Sequence, residues 1–399
     1  MPFRILSLDG GGPWALLQAM ALERLYPGLD GHQILARFDL AIASSGGSIT
    51  LAGLIKGLRP AEIGRLFLDQ AQRNRVFVRR NLVETLLNDP AAKWDAEGKR
   101  QGLRTTIDEG LLNPLSGLGL SAAADAIRRP AGTPAPWLMM AAFDIDRNRG
   151  RFFRSFQSTL ATEAPSFEPA LADAVHASTH APVFYFADSA TVADRNRPAD
   201  IRRFWDGALS GANNPVLAGV IEAIAHHHRD IAALSIGTAS IWRPVAPPAD
   251  AVDPRLVARP AALTLLDGIR RVAGAILDGP PDAATRDAHI LIGTDAQQRL
   301  VRLNPMVRPI RNPAGKWDVP EGYRTIAPND PIGTFAALAD MPMDAVEQGQ
   351  VNLIQQVGQQ WLSGRIPNQA LAWNPTTGTD LIGNPTFSAA RALWRQLDP

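Results

Sequence analysis

The stretch 43–47, with the sequence ASSGG, lies between a predicted strand over 38–42 and a predicted apolar helix over 49–56. A serine at such a strand-to-helix turn sits on a sharp bend, where small neighbours leave its Oγ accessible to a reacting group. The N-terminus of the helix favours negative charge that develops beside it. Ser45 is therefore a candidate nucleophile, with Ala43 and Gly47 as the flanking elbow positions. A turn that only connects a strand to a helix is the alternative interpretation.

Three glycines follow Asp9 at the end of the first predicted strand, over 3–8. Consecutive glycines present backbone N–H groups without side-chain obstruction, so Gly10, Gly11 and Gly12 are candidate donors to an oxyanion or a phosphate. No Gly-Lys-Ser/Thr follows, which argues against a P-loop, and GGGPWA lacks the last glycine of a dinucleotide fingerprint. A tight loop that permits close packing is the alternative.

Asp206 is predicted to lie on a strand over 204–208 that meets a glycine, in the sequence FWDGALSGANNPV. A carboxylate at a strand end can act as a general base for a hydroxyl group. An isolated Asp-Gly pair is more often a turn or a helix cap, so Asp206 alone is a weak indication of chemistry.

The elements that must position these residues alternate in type. Strand, turn and helix occur twice in the first 56 residues, and further strands are predicted over 137–143, 151–156 and 231–238, with a helix over 171–178. This alternation predicts an α/β fold built on a parallel sheet. Prolines become frequent beyond residue 243, which predicts a boundary there, followed by mainly helical sequence with one or two strands within 289–303.

Composition narrows the class of protein. The chain has 399 residues, of which 46% are hydrophobic, and 40 basic residues balance 39 acidic ones to a net charge of +1. That balance argues against a dedicated nucleic-acid binder, and the absence of cysteine excludes disulfides, a thiolate nucleophile and cysteine-ligated zinc. The N-terminus shows no signal-peptide pattern, and no apolar run reaches the length of a membrane span. We expect a protein without a transmembrane segment that is cytoplasmic or exported without a cleavable signal peptide, with peripheral membrane contact as an open alternative.

In their order along the chain, DGGG, ASSGG and DGA resemble the motifs of the patatin-like phospholipases, which pair a DGGGxRG loop with GxSxG and a later DG[GA]. Residues 174–184 resemble the AxxASxAxPxxF segment of that family, residues 206–215 its DGGxxxNNP run and residues 234–238 its LSIGTG strand. The resemblance covers about residues 3–240.

The chain departs from the family pattern at three positions. Trp14 and Ala15 stand where the loop motif has arginine and glycine, and Ala43 replaces the first elbow glycine. The arginine is a charged donor near the loop, but backbone N–H donors survive any side-chain change. These departures bear on substrate preference and turnover more than on the fold.

The resemblance implies a three-layer α/β/α fold with a mostly parallel central sheet and a catalytic domain over 1–240. For residues 241–399, which the resemblance constrains poorly, the sequence pattern predicts a mainly helical C-terminal region packed on that domain. The resemblance also implies a Ser-Asp dyad without a histidine, in which Ser45 is the nucleophile, Asp206 the base, and Gly10, Gly11 and Gly12 supply the oxyanion hole. The implied activity is that of a lipid acyl hydrolase of phospholipase A type, a serine esterase of lipid metabolism that needs no cofactor or metal and acts at a membrane surface. An inactive lipid-binding or regulatory protein and a small-ester carboxylesterase are the alternatives. An activator or a homo-oligomer stays open.

The seven histidines leave three other interpretations open. His289 is the only histidine placed to complete a Ser-Asp-His triad of the α/β-hydrolase order. His226, His227 and His228 suggest a metal site, although adjacent residues on a helix point in different directions, so a solvated helix end is favoured. His176 and His180 have helical i, i+4 spacing, and packing is favoured over metal binding.

Two further features have surface interpretations. Basic residues outnumber acidic ones eight to four between Arg73 and Arg104, which fits either a site for anionic lipid head groups or, as favoured, a solvated insertion. Trp361, Trp373 and Trp394 fit either membrane contact or, as favoured, core packing.

Overall fold

The computed structural model describes residues 2–79, 94–160, 167–182, 185–258, 281–293, 298–374 and 376–398. Its strands, numbered in chain order, are β1 Phe3–Leu8, β2 Leu40–Ala43, β3 Trp137–Asp144, β4 Arg149–Arg154, β5 Ala190–Ala193, β6 Ile201–Asp206, β7 Ile231–Ile236, β8 Ser240–Ile241, β9 Leu300–Leu303, β10 Met306–Val307, β11 Ile310–Arg311, β12 Trp317–Asp318, β13 Ala372–Asn374 and β14 Thr379–Ile382.

The labelled helices are α1 Leu16–Leu25, α2 Gly31–Leu35, α3 Gly46–Ile55, α4 Pro60–Leu68, α5 Gln70–Val76, α6 Ala96–Asp108, α7 Leu120–Asp125, α8 Leu171–Ser178, α9 Val216–Ala225, α10 Glu321–Ile326, α11 Pro331–Ala339, α12 Gln348–Leu362 and α13 Phe387–Leu397. Residues 281–292 are helical as well.

The central sheet has the strand order β5-β6-β3-β2-β1-β7-β9, and β4 also pairs with β3. The pairs β3–β2, β2–β1, β1–β7 and β7–β9 are parallel, whereas β3–β4, β3–β6 and β5–β6 are antiparallel. β1, β2 and β7 are apolar along nearly their whole length, as expected for strands buried on both faces of a parallel sheet. The prediction of an α/β fold with a mostly parallel sheet is confirmed.

Two apolar clusters cover the two faces of the sheet. Leu6 and Leu8 of β1 point into the larger cluster with α1 and α3, and Ile5 points into the smaller one with Val216 and Val220 of α9. Successive residues of a strand face opposite sides, so one strand supplies both layers. Because β1 and β2 pair in parallel, their carboxyl ends lie together at one edge of the sheet. The glycine loop follows β1 at this edge, and Ser45 follows β2.

The region beyond residue 240 contains six labelled strands as well as four labelled helices within the described ranges. β9 extends the central sheet beside β7, and β10 pairs with β8. The prediction of one or two strands within 289–303 is confirmed by Leu300–Leu303, whereas residues 289–292 at the start of that range belong to the helical stretch 281–292. The division into 1–240 and 241–399 stays a prediction, since the sheet draws strands from both sides of it.

The large side chains of the C-terminal region are mostly buried. Trp361 and Trp394 are fully enclosed, and Trp373 is half-buried. Among the described residues, no helix is both long and apolar enough to cross a bilayer.

Candidate active site

Ser45 occupies the sharp turn between β2 and α3. Its backbone has φ 48° and ψ −126°, a conformation that non-glycine residues rarely adopt and that is typical of strain held at a functional turn. A Cβ atom added at Gly46 would lie 2.5 Å from the carbonyl oxygen of Gly12. A Cβ atom added at Gly47 would lie 2.5 Å from the carbonyl oxygen of Leu8. The glycines after Ser45 are therefore required because the elbow packs directly on the backbone of the glycine loop.

Asp206 ends β6 and faces Ser45. The Ser45 hydroxyl lies close to its carboxylate and stabilises the ionised form, and its Oδ1 accepts from the Ala208 backbone N–H at 2.9 Å. Its own backbone N–H donates to the carbonyl oxygen of His180 at 2.9 Å, which fixes the strand end. The sequence separates Ser45 and Asp206 by 161 positions, and the fold brings their side chains into direct contact.

Burial raises the pKa of Asp206 to about 6, against the opposing hydrogen bonds from Ala208 and Ser45 and the charge of Lys99. A carboxyl group titrating near neutral pH is suited to accept a proton from a hydroxyl and to return it later.

If Asp206 is the base for Ser45 in the hydrolysis of an ester, we expect kcat/KM for an uncharged soluble ester to fall about tenfold per pH unit below pH 6, because only an ionised carboxylate can accept a proton. Above pH 6 the rate should level off. The measurement is a pH profile from 4.5 to 8.5, with folding checked at each pH by circular dichroism. A rate that stays constant between pH 5 and pH 8 would exclude Asp206 as the titrating base.

The glycine loop lies against the elbow. A Cβ atom at Gly10 would come 2.9 Å from the Cβ atom of Ser45, so the first loop glycine touches the candidate nucleophile. Gly11 and Gly12 have φ of 151° and 53°. The backbone N–H of Gly10 donates to the carbonyl oxygen of Asn213 at 2.8 Å, and its carbonyl oxygen accepts from the Thr238 hydroxyl. The amide of Gly10 is thus engaged within the protein, whereas Gly11 and Gly12 form the bend that faces the elbow.

The positions that depart from the family pattern are all interior. Trp14 and Ala15 lie in a short 3-10 turn after the loop, and both are buried, as is Ala43 at the end of β2. Trp14 contributes to the larger apolar cluster, so its side chain serves core packing.

Sequence reasoning did not identify two polar groups that contact the site. Ser178, at the end of α8, accepts a hydrogen bond from the Ser45 backbone N–H at 3.1 Å and shares another with the Ser48 hydroxyl at 2.8 Å. The second group is the guanidinium of Arg302, whose Nη2 atom lies 2.6 Å from Oδ2 of Asp9. Asp9 directly precedes the glycine loop. Ser178 lies in segment 174–184, which resembles the AxxASxAxPxxF motif. Its contact with Ser45 depends on how α8 packs against α3, which the motif does not specify.

The histidines that the sequence singles out lie in different surroundings. His289 lies on the helical stretch 281–292. The ring of His226 packs on Trp137, and that of His228 stacks on Phe3 at 4.0 Å between ring centres. Within the described ranges, no three histidine or acidic side chains come together as a group that could hold a metal ion. The basic segment between Arg73 and Arg104 lies partly outside the described residues.

A family model described as patatin-like phospholipase matches residues 6–220. The chain belongs to the patatin-like phospholipase family. No curated protein matches the chain.

Among solved structures, the crystal structure of VipD from Legionella pneumophila resembles the chain at 10% sequence identity, with a TM-score of 0.33. The alignment covers 90% of this chain and 66% of that chain. The chain thus spans just under two thirds of the length of that relative.

Proposed function

We propose that this patatin-like protein is a lipid acyl hydrolase of phospholipase A type, in which Ser45 and Asp206 form the catalytic dyad. The observation that carries the proposal is the position of the Ser45 hydroxyl, on a strained strand-to-helix turn, close to the buried carboxylate of Asp206. No histidine is needed for the proton transfer, because Asp206 titrates close enough to neutral pH to exchange a proton.

The proposed reaction has two halves. The Oγ atom of Ser45 attacks the ester carbonyl carbon as its proton passes to Asp206, and the amides of Gly11 and Gly12 stabilise the oxyanion. Collapse of the intermediate breaks the bond to the leaving alkoxide, which takes the proton from Asp206. Water then attacks the acyl-enzyme, gives its proton to Asp206, and releases the fatty acid as Ser45 recovers that proton.

A narrow apolar cavity of about 30 Å³ lies near the elbow, and only a small part of an acyl chain fits into it unless its walls move apart. Ile49, which lines the cavity, lies one helical turn after Ser45 on α3, and Val175 lies one turn before Ser178 on α8. Both walls therefore begin next to the candidate nucleophile. The remaining walls come mainly from α4, α5 and α6, including Phe67 and Ile107. Hydrocarbon is the ligand chemistry that such walls favour.

The central experiment combines product analysis with trapping. Vesicles of phosphatidylcholine carrying different acyl chains at the two glycerol positions are mixed with the protein, and fatty acids and acylated peptides are identified by mass spectrometry. The proposal expects free fatty acid together with an acyl adduct on the peptide that contains Ser45. Turnover of short soluble esters without vesicle hydrolysis would instead favour a small-ester carboxylesterase. Binding to vesicles without any product would indicate an inactive lipid-binding protein.

A further inference from the structure

Lys99 is a charged residue buried beside the candidate site, and the proposed reaction does not use it. It lies on α6 and only 1% of it is exposed. Its Nζ atom donates to the carbonyl oxygen of His176 at 3.1 Å and contacts Nδ1 of His180 at 3.2 Å. The same atom lies 4.4 Å from the centre of the Phe186 ring. A buried ammonium group is costly unless its surroundings compensate the charge.

The tautomer of His180 follows from its two neighbours. Nε2 lies 2.7 Å from the carbonyl oxygen of Asp188, which can only accept, so Nε2 carries a proton. Burial and the charge of Lys99 both lower the pKa of His180 well below its usual value. The ring is therefore neutral, Nδ1 is an acceptor, and the ammonium group of Lys99 is the donor to it.

His180 also connects Lys99 to Asp206. The side chain of His180 binds Lys99, and its carbonyl oxygen accepts the backbone N–H of Asp206 at 2.9 Å. The neighbouring Trp205 ring stacks on the His180 ring at 5.4 Å between centres. Lys99 and Asp206 are thus held by opposite ends of one residue, in a region from which water is largely excluded, where opposite charges attract more strongly than in solvent.

We propose that Lys99 is a positioning residue for Asp206, a buried cation held through His180 whose charge keeps the Asp206 carboxylate ionised for Ser45. The functional part of this inference rests on the proposed function, but the electrostatic coupling between Lys99 and Asp206 does not. Burial lowers the pKa of Lys99 well below its usual value, and the charge of Asp206 opposes this shift, while the charge of Lys99 lowers the pKa of Asp206.

The other ionisable groups around the pair do not supply this charge. His176 is buried, and burial together with Lys99 lowers its pKa well below the usual value. Arg100 and Arg104 point to Asp173 at 2.8 and 3.4 Å. Burial and the charges of Asp344 and Asp206 raise the pKa of Tyr185 to about 12, so this phenol is neutral near pH 7.

The coupling can be measured without any substrate, because it acts equally in both directions. The chain has only four lysines, at positions 56, 93, 99 and 316, so lysine labelled with ¹³C at Cε gives a simple NMR spectrum. The Lys99 signal is assigned by its loss in Lys99→Met. We expect the Lys99 titration midpoint to fall by about one pH unit or more in Asp206→Asn, while the Lys56 midpoint stays unchanged. An unchanged Lys99 midpoint, or no Lys99 titration step in the unsubstituted protein, overturns the inference.

A second experiment measures the pH profile of ester hydrolysis in Lys99 variants. We expect the acid limb of the pH profile to move up by about one pH unit in both Lys99→Met and Lys99→Gln, since both remove the charge and differ in packing. Lys316→Met, which removes an exposed lysine, should leave the limb in place. If the acid limbs of Lys99→Met and Lys99→Gln coincide with that of the unsubstituted protein, the positioning role is overturned. If no ester is hydrolysed at all, the proposed function fails while the NMR titration still decides the coupling.

Discussion

Ser45→Ala is expected to reduce kcat/KM on lipid and soluble esters by at least about 10³-fold, while the protein stays folded. The hydroxyl is the only group that can form the acyl-enzyme in the proposed reaction, and removal of a nucleophile costs about 4 kcal/mol or more of transition-state stabilisation. Asp206→Asn should cost about 10²–10⁴-fold, the usual contribution of a positioned base. Initial rates with a short chromogenic ester and with vesicles measure both effects.

Ser44 provides a matched control for this substitution. It precedes Ser45 in the same turn and is fully buried, and its Oγ makes no hydrogen bond with the part of the chain that the structure describes. Ser44→Ala removes the same atom from the neighbouring position, so we expect activity within a few-fold of the unsubstituted protein. If the two alanine variants lose activity equally, the loss reflects the packing of the elbow and Ser45 is not the nucleophile. If neither loses activity, the reaction takes place elsewhere.

The parts of the site predicted from sequence are those that local chemistry specifies. Small residues between an apolar strand and an apolar helix indicate the elbow at Ser45, and the Asp-Gly pair after a strand indicates Asp206, because each pattern lies within a few positions of the residue concerned. The contact between them follows only from the combination of motifs. The strands β1, β2 and β3 were predicted for the same reason, since each shows its own apolar run, whereas their order in the sheet was not.

The features that escaped prediction depend on distant partners. Lys99 lies in the polar sequence AEGKR, which is typical of an exposed helix, and its burial results from the packing of α6 on α8. The engagement of the Gly10 amide requires Asn213, about 200 positions later. The helical conformation around His289 also overrides a local pattern, because apolar residues at 288, 290 and 292 fit the alternation of a strand as well.

Arg302 offers the second large effect, on stability. It lies on β9 with 2% exposure, and its guanidinium group contacts Asp9 at 2.6 Å, Ser235 at 2.7 Å and Gln369 at 3.1 Å. Arg302→Met leaves the Asp9 carboxylate buried without its cation, which costs about 3–5 kcal/mol in such pairs. We expect a corresponding fall in the free energy of unfolding in urea, followed by tryptophan fluorescence at pH 7.5. Because Asp9 precedes Gly10, we also expect activity to fall.

Arg299→Met is the matched control, because Arg299 lies three positions earlier and pairs with Asp230 at the surface, where an ion pair contributes about 0–1 kcal/mol. The double variant Asp9→Asn/Arg302→Met should lose less stability than the sum of the single losses, since asparagine leaves no orphaned charge. The cost of Arg302→Met should also shrink as the pH falls, because a protonated Asp9 carries no charge to compensate. Equal losses in Arg302→Met and Arg299→Met would mean that the pair contributes no more than a surface contact. Unequal losses would show that β9, a strand from beyond residue 240, stabilises the first turn of the candidate site.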